Sequence, residues 1–393
     1  MIYRFGPFEL DAADCTLRRD GAPVPVEPQV FDLLHLLVAE AGHLVGRDRL
    51  IERVWQGRIV SEATISSRIA AARRAVDDDG SRQAVIRTVP RRGVRFVAPV
   101  THAETAPAPA ARAAGQTIRM TRAPDGTAIA YAVTGTGPPL LRAGHFLTHL
   151  EHDRESPVWR PLIDRLSGSF TLVRYDQRST GLSDPAPPAL TLDALADDLE
   201  AVADAAGLDR FPVFAASQGV PVAIAFAVRR PERVSRLVLY GGYAQGRLAR
   251  GDAAEHDNAE AMLTMIRQGW GRAGGAFAAA FATVYMPDAE RADLRHMARM
   301  QLASATPENA VALRIAIDRF DVGALLPRVT APTLVVHCDE DAVHPLCQAR
   351  RLAAGIPGAE LRVLSGRNHV PLPRDPAWAA LMLAVEDFAA LRE

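Results

Sequence analysis

Three short segments carry side chains suited to acyl transfer. In the first, Phe214-Ala215-Ala216-Ser217-Gln218-Gly219 joins an apolar run to a helix of Val220, Ile224, Ala225 and Val228, which sets a serine at a strand-to-helix turn. This is the pattern G-x-S-x-G with Ala215 at the first glycine position, where a small residue is needed because strand and helix pass closely. The turn would hold the Ser217 hydroxyl clear of a sheet at a helix N-terminus, with the Gln218 backbone N–H able to face a developing oxyanion. Alone, a serine in this place reads as well as a helix N-cap. The second segment, Val335 to Pro345, is an apolar strand running into a carboxylate-rich turn with Asp339 and Asp341. The third, Leu364 to Pro371, holds a lone histidine, His369, before the last helix. Together Ser217, Asp341 and His369 supply a hydroxyl, an imidazole to take its proton and a carboxylate to orient that imidazole. Asp339 is the weaker choice for the acid.

Composition removes several other chemistries. All 45 basic side chains are arginine, so a lysine Schiff base, a Ser-Lys dyad and a P-loop lysine are excluded. Cys15, Cys338 and Cys347 form no C-x-x-C pair, so neither a structural zinc site nor a disulfide framework is expected. His145, His149 and His152 with Asp153 have a spacing that could suit a metal, but an acyl-transfer site explains this polar loop without an ion. No metal and no cofactor are expected. No apolar run reaches the ~18 residues of a membrane-spanning helix, and no signal-peptide pattern opens the chain, so a cytoplasmic protein without a membrane partner is expected.

The elements that must position these residues are strand-like runs alternating with helical ones: Thr127 to Thr134, Pro139 to Arg142, Phe170 to Tyr175, Phe211 to Ala215, Val234 to Tyr240, Thr333 to His337 and Glu360 to Leu364. That alternation predicts a largely parallel sheet covered by helices, with chemistry at the C-terminal ends of strands. The order serine, acid, histidine, together with Tyr175-Asp176-Gln177-Arg178-Ser179-Thr180-Gly181-Leu182-Ser183-Asp184, resembles the α/β-hydrolase superfamily over residues 117 to 393. Ser179 replaces a glycine of the family's turn, and Ala143-Gly144 replaces the usual His-Gly after the third strand. The resemblance implies Ser217, Asp341 and His369 as catalytic residues and Gln218, with His145 or Phe146, as oxyanion donors. Residues 244 to 325 then look like a helical cap, whose Met262, Met265, Trp270, Phe277, Phe281 and Tyr285 could line an apolar ligand pocket or pack the cap itself.

At 393 residues the chain is long enough for two or three domains. A stretch between Val100 and Gln116 has no hydrophobic period and two prolines, and it reads as a linker over 101 to 116. Before it, short strands are expected over Arg4 to Leu10, Thr16 to Arg19 and Pro23 to Val26. Pro28 opens a first helix, a second runs from Arg47 to Trp55, and a third starts after Ser61 with Ile65, Ile69, Ala72 and Val76 in one buried stripe. That stripe leaves Ser66, Ser67, Ala70 and Arg74 outward with Arg68 and Arg73 on the flanks. Val85 to Val89 and Val94 to Val97 read as a hairpin with Arg91 and Arg92 at its tip. From Trp55 to Val100 nine arginines face four acids, in a chain that is otherwise balanced at 45 basic against 46 acidic residues.

This order of parts resembles the OmpR/PhoB-type winged-helix effector domain, in its CadC/ToxR-like branch, over residues 1 to 100. The resemblance implies that the third helix enters the major groove of double-stranded DNA and the hairpin meets the minor groove. Small outward side chains beside guanidinium groups suit that use. The expected architecture is therefore two domains, an α+β winged helix-turn-helix followed by an α/β-hydrolase fold with a mostly parallel sheet and a helical cap. The expected function is a one-component transcription regulator whose hydrolase domain binds, and could hydrolyse, a small apolar acyl ligand such as an ester, lactone or thioester. Half-site logic suggests a homodimer, and RNA polymerase is a further partner that such a regulator could meet. The rival expectation is a serine hydrolase whose N-terminal domain serves only targeting or dimerisation.

Overall fold

The computed structural model describes residues 2–11, 16–55, 60–90, 92–103, 116–270 and 276–390. It divides into two compact units, Met1–Arg112 and Ala113–Glu393.

In the first unit β1 (Ile2–Phe5), β2 (Phe8–Asp11), β3 (Thr16–Arg19) and β4 (Ala22–Val24) form an antiparallel meander. The stretch expected as one strand from Arg4 to Leu10 is a hairpin, because Gly6 takes φ +54° and reverses the chain before Pro7. Next come α1 (Pro28–Ala39), β5 (Leu44–Val45), α2 (Arg47–Val54) and α3 (Glu62–Ala75). Ser61 caps α3 by accepting the Thr64 N–H at 3.2 Å, and Ile65, Ala72 and Val76 face the core as the spacing predicts. The carboxylate of Asp78 then accepts the N–H groups of Ala84, Val85 and Ile86, each at 2.9 Å, which fixes the entry into the wing. The wing is β6 (Ile86–Val89) and β7 (Gly93–Phe96), with β5 on the outer side of β7. Thr101–Ala103 forms β8 and pairs with β1, so the first residues assigned to the linker belong to the sheet. The rest of that stretch, 104 to 115, lies outside the described residues.

The second unit begins with β9 (Thr117–Arg122), an edge strand not foreseen, then β10 (Ala128–Thr134) and β11 (Pro139–Arg142). After α4 (Leu150–Glu155) and α5 (Arg160–Ser169) come β12 (Thr171–Tyr175), α6 (Leu192–Ala205), β13 (Phe211–Ala216), α7 (Gly219–Arg229) and β14 (Val234–Tyr240). Between β14 and the next strand stand α8 (Ala253–Gly269), α9 (Ala276–Tyr285), α10 (Arg291–Ser304) and α11 (Pro307–Asp318), all within the stretch expected as a cap. The chain closes with β15 (Thr333–Cys338), α12 (Leu346–Gly355), β16 (Glu360–Leu364) and α13 (Pro376–Ala390). The sheet order is β16-β15-β14-β13-β11-β12-β10-β9, parallel from β12 to β16 and antiparallel at β10 and β9. The central strands β13, β14 and β15 are covered on both faces, which is why they read as continuous apolar runs. No helix among the described residues is long and apolar enough to cross a membrane.

Candidate active site and candidate nucleic-acid interface

Ser217 follows the last residue of β13 directly and takes φ +54°, a left-handed conformation that a non-glycine residue adopts at a cost of about 1–2 kcal/mol. The turn is held closed by the Ser217 N–H on the Tyr240 carbonyl at 2.9 Å. Gly219 is required where it stands, since a Cβ there would come within 2.7 Å of the Gly144 carbonyl oxygen. The side-chain amide of Gln218 donates to that same carbonyl at 3.2 Å and to the Gln177 amide oxygen at 2.6 Å. These bonds tie the serine turn to the loop after β11 and to the turn after β12.

The other two segments meet at the end of β15. His369 Nδ1 lies 2.8 Å from Asp341 Oδ2, while Asp341 Oδ1 accepts the N–H groups of Val343 at 2.8 Å and His344 at 3.0 Å. Burial alone would raise the Asp341 pKa; the neighbouring His369 ring and these donors outweigh it and hold the carboxyl below its ordinary value. Asp339 is exposed and accepts the Gly366 N–H at 2.9 Å, so it braces the histidine loop and does not touch the imidazole. His369 is gripped from the cap side as well, because its own N–H donates to the carbonyl of Tyr285, the last residue of α9, at 2.9 Å. With Nδ1 engaged, Nε2 is the ring nitrogen left to serve a nucleophile.

Ser217 and His369 line one narrow cavity of about 60 Å³. Its walls are otherwise mostly apolar and come from both core and cap, including Trp159, Leu162, Met297, Met300 and Trp378. Of the pocket residues expected from sequence, Phe281 and Tyr285 line it. Met262 and Met265 line a different hollow beside Val343, and Trp270 packs edge-on against Phe281 with its indole N–H on the Ala305 carbonyl at 2.8 Å. They serve the packing of the cap because α8 presents that face to its neighbours. The Phe277 side chain lies outside the described residues. His145 and Phe146 line the cavity. Burial and the nearby Arg142 push the His145 pKa well below its ordinary value, so this ring is neutral. His149 and His152 pack with ring centroids 4.1 Å apart and planes tilted by 48°, and among the described residues no group of three His, Cys, Asp or Glu side chains gathers where it could hold a metal.

Sequence reasoning passed over several supporting groups. His337 and His344 flank the Asp341–His369 pair: His337 bonds the His344 carbonyl at 2.9 Å, and the His344 ring lies 5.4 Å from that of His369. Their presence in the acid segment, Val335 to Pro345, was the available signal. Arg142, a charged residue ending an otherwise apolar strand, was another.

In the first unit, Ser66, Ser67 and Arg74 are exposed on α3, and Ala70 is half-buried. Arg92 is exposed, and Arg91 lies outside the described residues. Arg68 is partly buried and paired with Glu27. Arg73 corrects the expectation of a flanking contact. It is buried, donating to the Ile86 carbonyl at 3.0 Å and to Thr88 Oγ1 at 2.8 Å, and so it fastens α3 to the wing. Arg87 and Arg95, both exposed, stand directly opposite each other across the hairpin. Like charges so placed repel, and an anion lying across them would remove the penalty.

Fold and site define an α/β-hydrolase-type unit joined to a winged helix. The family model described as alpha/beta hydrolase fold matches residues 150–314, and the one described as transcriptional regulatory protein, C terminal, matches residues 21–96. RutD of Rhizobium rhizogenes, a protein named for a carbamate hydrolase activity, is 32% identical over 215 residues, covering 52% of this chain and 77% of its own. The transcriptional activator CadC of Escherichia coli is 30% identical over 100 residues, 25% of this chain and 20% of CadC. The crystal structure of a hydrolase from Pseudomonas aeruginosa PA01 superposes with a TM-score of 0.57 at 25% identity, over 69% of this chain and 98% of that one. The chain belongs to the α/β-hydrolase family and carries at its N-terminal side a DNA-binding domain of the OmpR/PhoB type.

Proposed function

We propose that this protein is a one-component transcription regulator whose hydrolase domain takes up a small acyl compound and hydrolyses it. The observation that carries the reading is the left-handed Ser217 turn opening onto the same cavity as a His369 ring hydrogen-bonded to buried Asp341. In the proposed reaction Ser217 Oγ attacks the acyl carbon while His369 Nε2 takes its proton. The carbonyl oxygen becomes an oxyanion received by the Gln218 N–H and that of His145 or Phe146. Collapse expels the alcohol, amine or thiol, which leaves with the proton from His369. A water, deprotonated by the same ring, then releases the acid and restores the serine. Asp341 keeps the Nδ1 proton in place and stabilises the transient imidazolium.

For the first unit we infer binding to double-stranded DNA as a homodimer. The exposed Ser66, Ser67 and Arg74 of α3 and the opposed Arg87 and Arg95 of the wing support the DNA contact, and the pairing of two copies rests on half-site logic alone. Ligand occupancy would act as a switch by favouring one arrangement of the two copies by a few kcal/mol.

The test is treatment of the full chain with a fluorophosphonate, read by intact mass. One adduct, formed with loss of fluoride and absent in Ser217→Ala, is expected. In parallel, duplexes enriched by the protein from a random pool should be bound with an affinity that falls steeply with salt. No adduct would sink the hydrolytic half of the proposal, and no enriched duplex the regulatory half.

A further inference from the structure

The cavity that holds Ser217 and His369 also holds a cation with no hydrogen-bonded partner among the described residues. Arg142, the last residue of β11, is buried to 4% exposure and lines this cavity. Its guanidinium lies 5.1 Å from the Trp159 ring centroid and makes no hydrogen bond or ion pair among the described residues, and its Nε is unpartnered. Burial lowers its pKa to about 10, which leaves it a cation at neutral pH. The nearby buried carboxyl, Asp153, acts on Arg142 through space without a hydrogen bond and is shared with Arg174, whose Nη1 lies 3.8 Å from it. That same carboxyl is pushed up to about 7 by burial and is therefore partly protonated near neutral pH.

Two more polar groups in the cavity share this condition. Both ring nitrogens of His145 are without partners, as is the side-chain oxygen of Gln301 on α10, and both residues are buried. A protein interior normally satisfies such groups, and a buried cation above all requires an anion or a set of acceptors. Three buried polar side chains without protein partners converge on one otherwise apolar cavity, which is the make-up of a polar recognition site. Its ligand must be anionic for Arg142, must accept from or donate to a neutral imidazole, and must be short. At roughly 10–15 Å³ per water-sized centre, about 60 Å³ admits only a few heavy atoms beyond those at the serine.

We propose that Arg142, with His145 as a neighbouring imidazole donor, forms a carboxylate-recognition subsite, and that the ligand of this domain is a short acyl compound bearing its own free carboxylate; the Gln301 amide oxygen, an acceptor, faces a donor elsewhere on the ligand or a water. The inference rests on the reading of Ser217 and His369 as the acyl-transfer site and adds the class of compound that site takes. The planar guanidinium matches a carboxylate through two parallel N–H donors, a geometry that a neutral ester cannot return. The Trp159 face beneath it holds the fork in place and excludes water from the pair.

The experiment uses the full-length protein and two matched probes, monomethyl glutarate and its neutral counterpart dimethyl glutarate. Each is titrated as a competitor of fluorophosphonate labelling and, separately, as a thermal stabiliser of the Ser217→Ala variant. The monoester is expected to protect and stabilise at concentrations at least roughly tenfold lower than the diester, as a charge-assisted pair implies. In Arg142→Met that preference should fall to about one, and Arg142→Lys should restore only part of it. No preference for the monoester in the unmodified protein overturns the proposal, without reference to any variant. A preference that survives Arg142→Met also overturns it. If the fluorophosphonate fails to label Ser217, the acyl-transfer reading falls, and the thermal comparison still decides the subsite.

Discussion

His369 Nδ1 and Asp341 Oδ2 stand 2.8 Å apart in a region where both side chains are almost fully buried, while Asp339, two residues earlier, faces solvent. Two carboxylates on one turn are thus divided by their surroundings into one that can orient an imidazole and one that can only brace a loop. Asp341→Asn should slow labelling of Ser217 by about 10³–10⁴-fold, because the wrong tautomer of His369 would be favoured. Asp339→Asn, which keeps an acceptor for the Gly366 N–H, should change the rate by less than about threefold. Timed intact-mass measurements on the two variants separate these outcomes, and equal rates would remove Asp341 from the mechanism.

Arg73 and Arg74 are adjacent in sequence and opposite in consequence. The first donates to the Ile86 carbonyl and Thr88 inside the winged unit; the second is exposed on the outer face of α3. Arg73→Ala should lower the stability of that unit by about 1–3 kcal/mol, through two lost hydrogen bonds and a buried carbonyl left unpaired. Arg74→Ala should leave the melting curve unchanged. It should weaken binding to an enriched duplex and reduce the slope of log affinity against log salt by about one. Paired denaturation and salt-titration experiments check both.

Arg178 is wholly buried and donates two bonds to Asp198, at 2.8 and 2.7 Å, and a third to Asp125 at 2.7 Å. This fork joins the turn after β12 to α6 and to the β9–β10 hairpin, and that same turn carries Gln177, which holds Gln218. Arg178→Ala should cost about 3–5 kcal/mol, since two carboxylates lose their shared cation. Arg178→Lys should recover little of it, because an ammonium cannot bond both oxygens of Asp198 in one plane. Urea unfolding of the three proteins tests the ranking.

Much of this architecture could be read in advance because the signals are local. The parallel strands are buried on both faces and announce themselves as apolar runs, and a serine between a strand and a helix of small residues fixes the turn that bears it. What escaped depends on tertiary convergence. The strand β9 is mostly exposed and has no core-facing alternation. Thr101–Ala103 is a strand only because β1 offers it an edge. The stripe of α3 fixed which face is buried but could not show that the long Arg73 side chain would bend back to the wing. Likewise the cavity draws Trp159 and Leu162 from the α5 region, Met297 and Met300 from α10 and Trp378 from α13. No spacing along the chain brings those helices together, whereas methionines and aromatics inside one helix offered a simpler pocket that the fold uses for packing.

The cluster of Asp153, Arg174 and Arg142 gives stability a definite dependence on pH. Asp153 is raised from the ordinary 3.8 to about 7, first by burial and then, against the pull of Arg174, by the nearby Asp176. Between those two values the folded protein retains a proton that the unfolded chain has released. Stability contributed by this group is therefore complete below about pH 4 and is lost as pH rises toward 7. Asp176, raised to about 6, acts in the same direction, so the slope in the unmodified protein is a sum of contributions. Asp153→Asn cannot titrate and should remove its own share. The fall in unfolding free energy across this interval should become shallower by up to about 1.4 kcal/mol per pH unit, the limit for a single proton. Guanidinium unfolding of both proteins at half-unit steps would show it. Parallel curves would mean that Asp153 is already ionised throughout the interval, neutralised by Arg174 and Arg142 together.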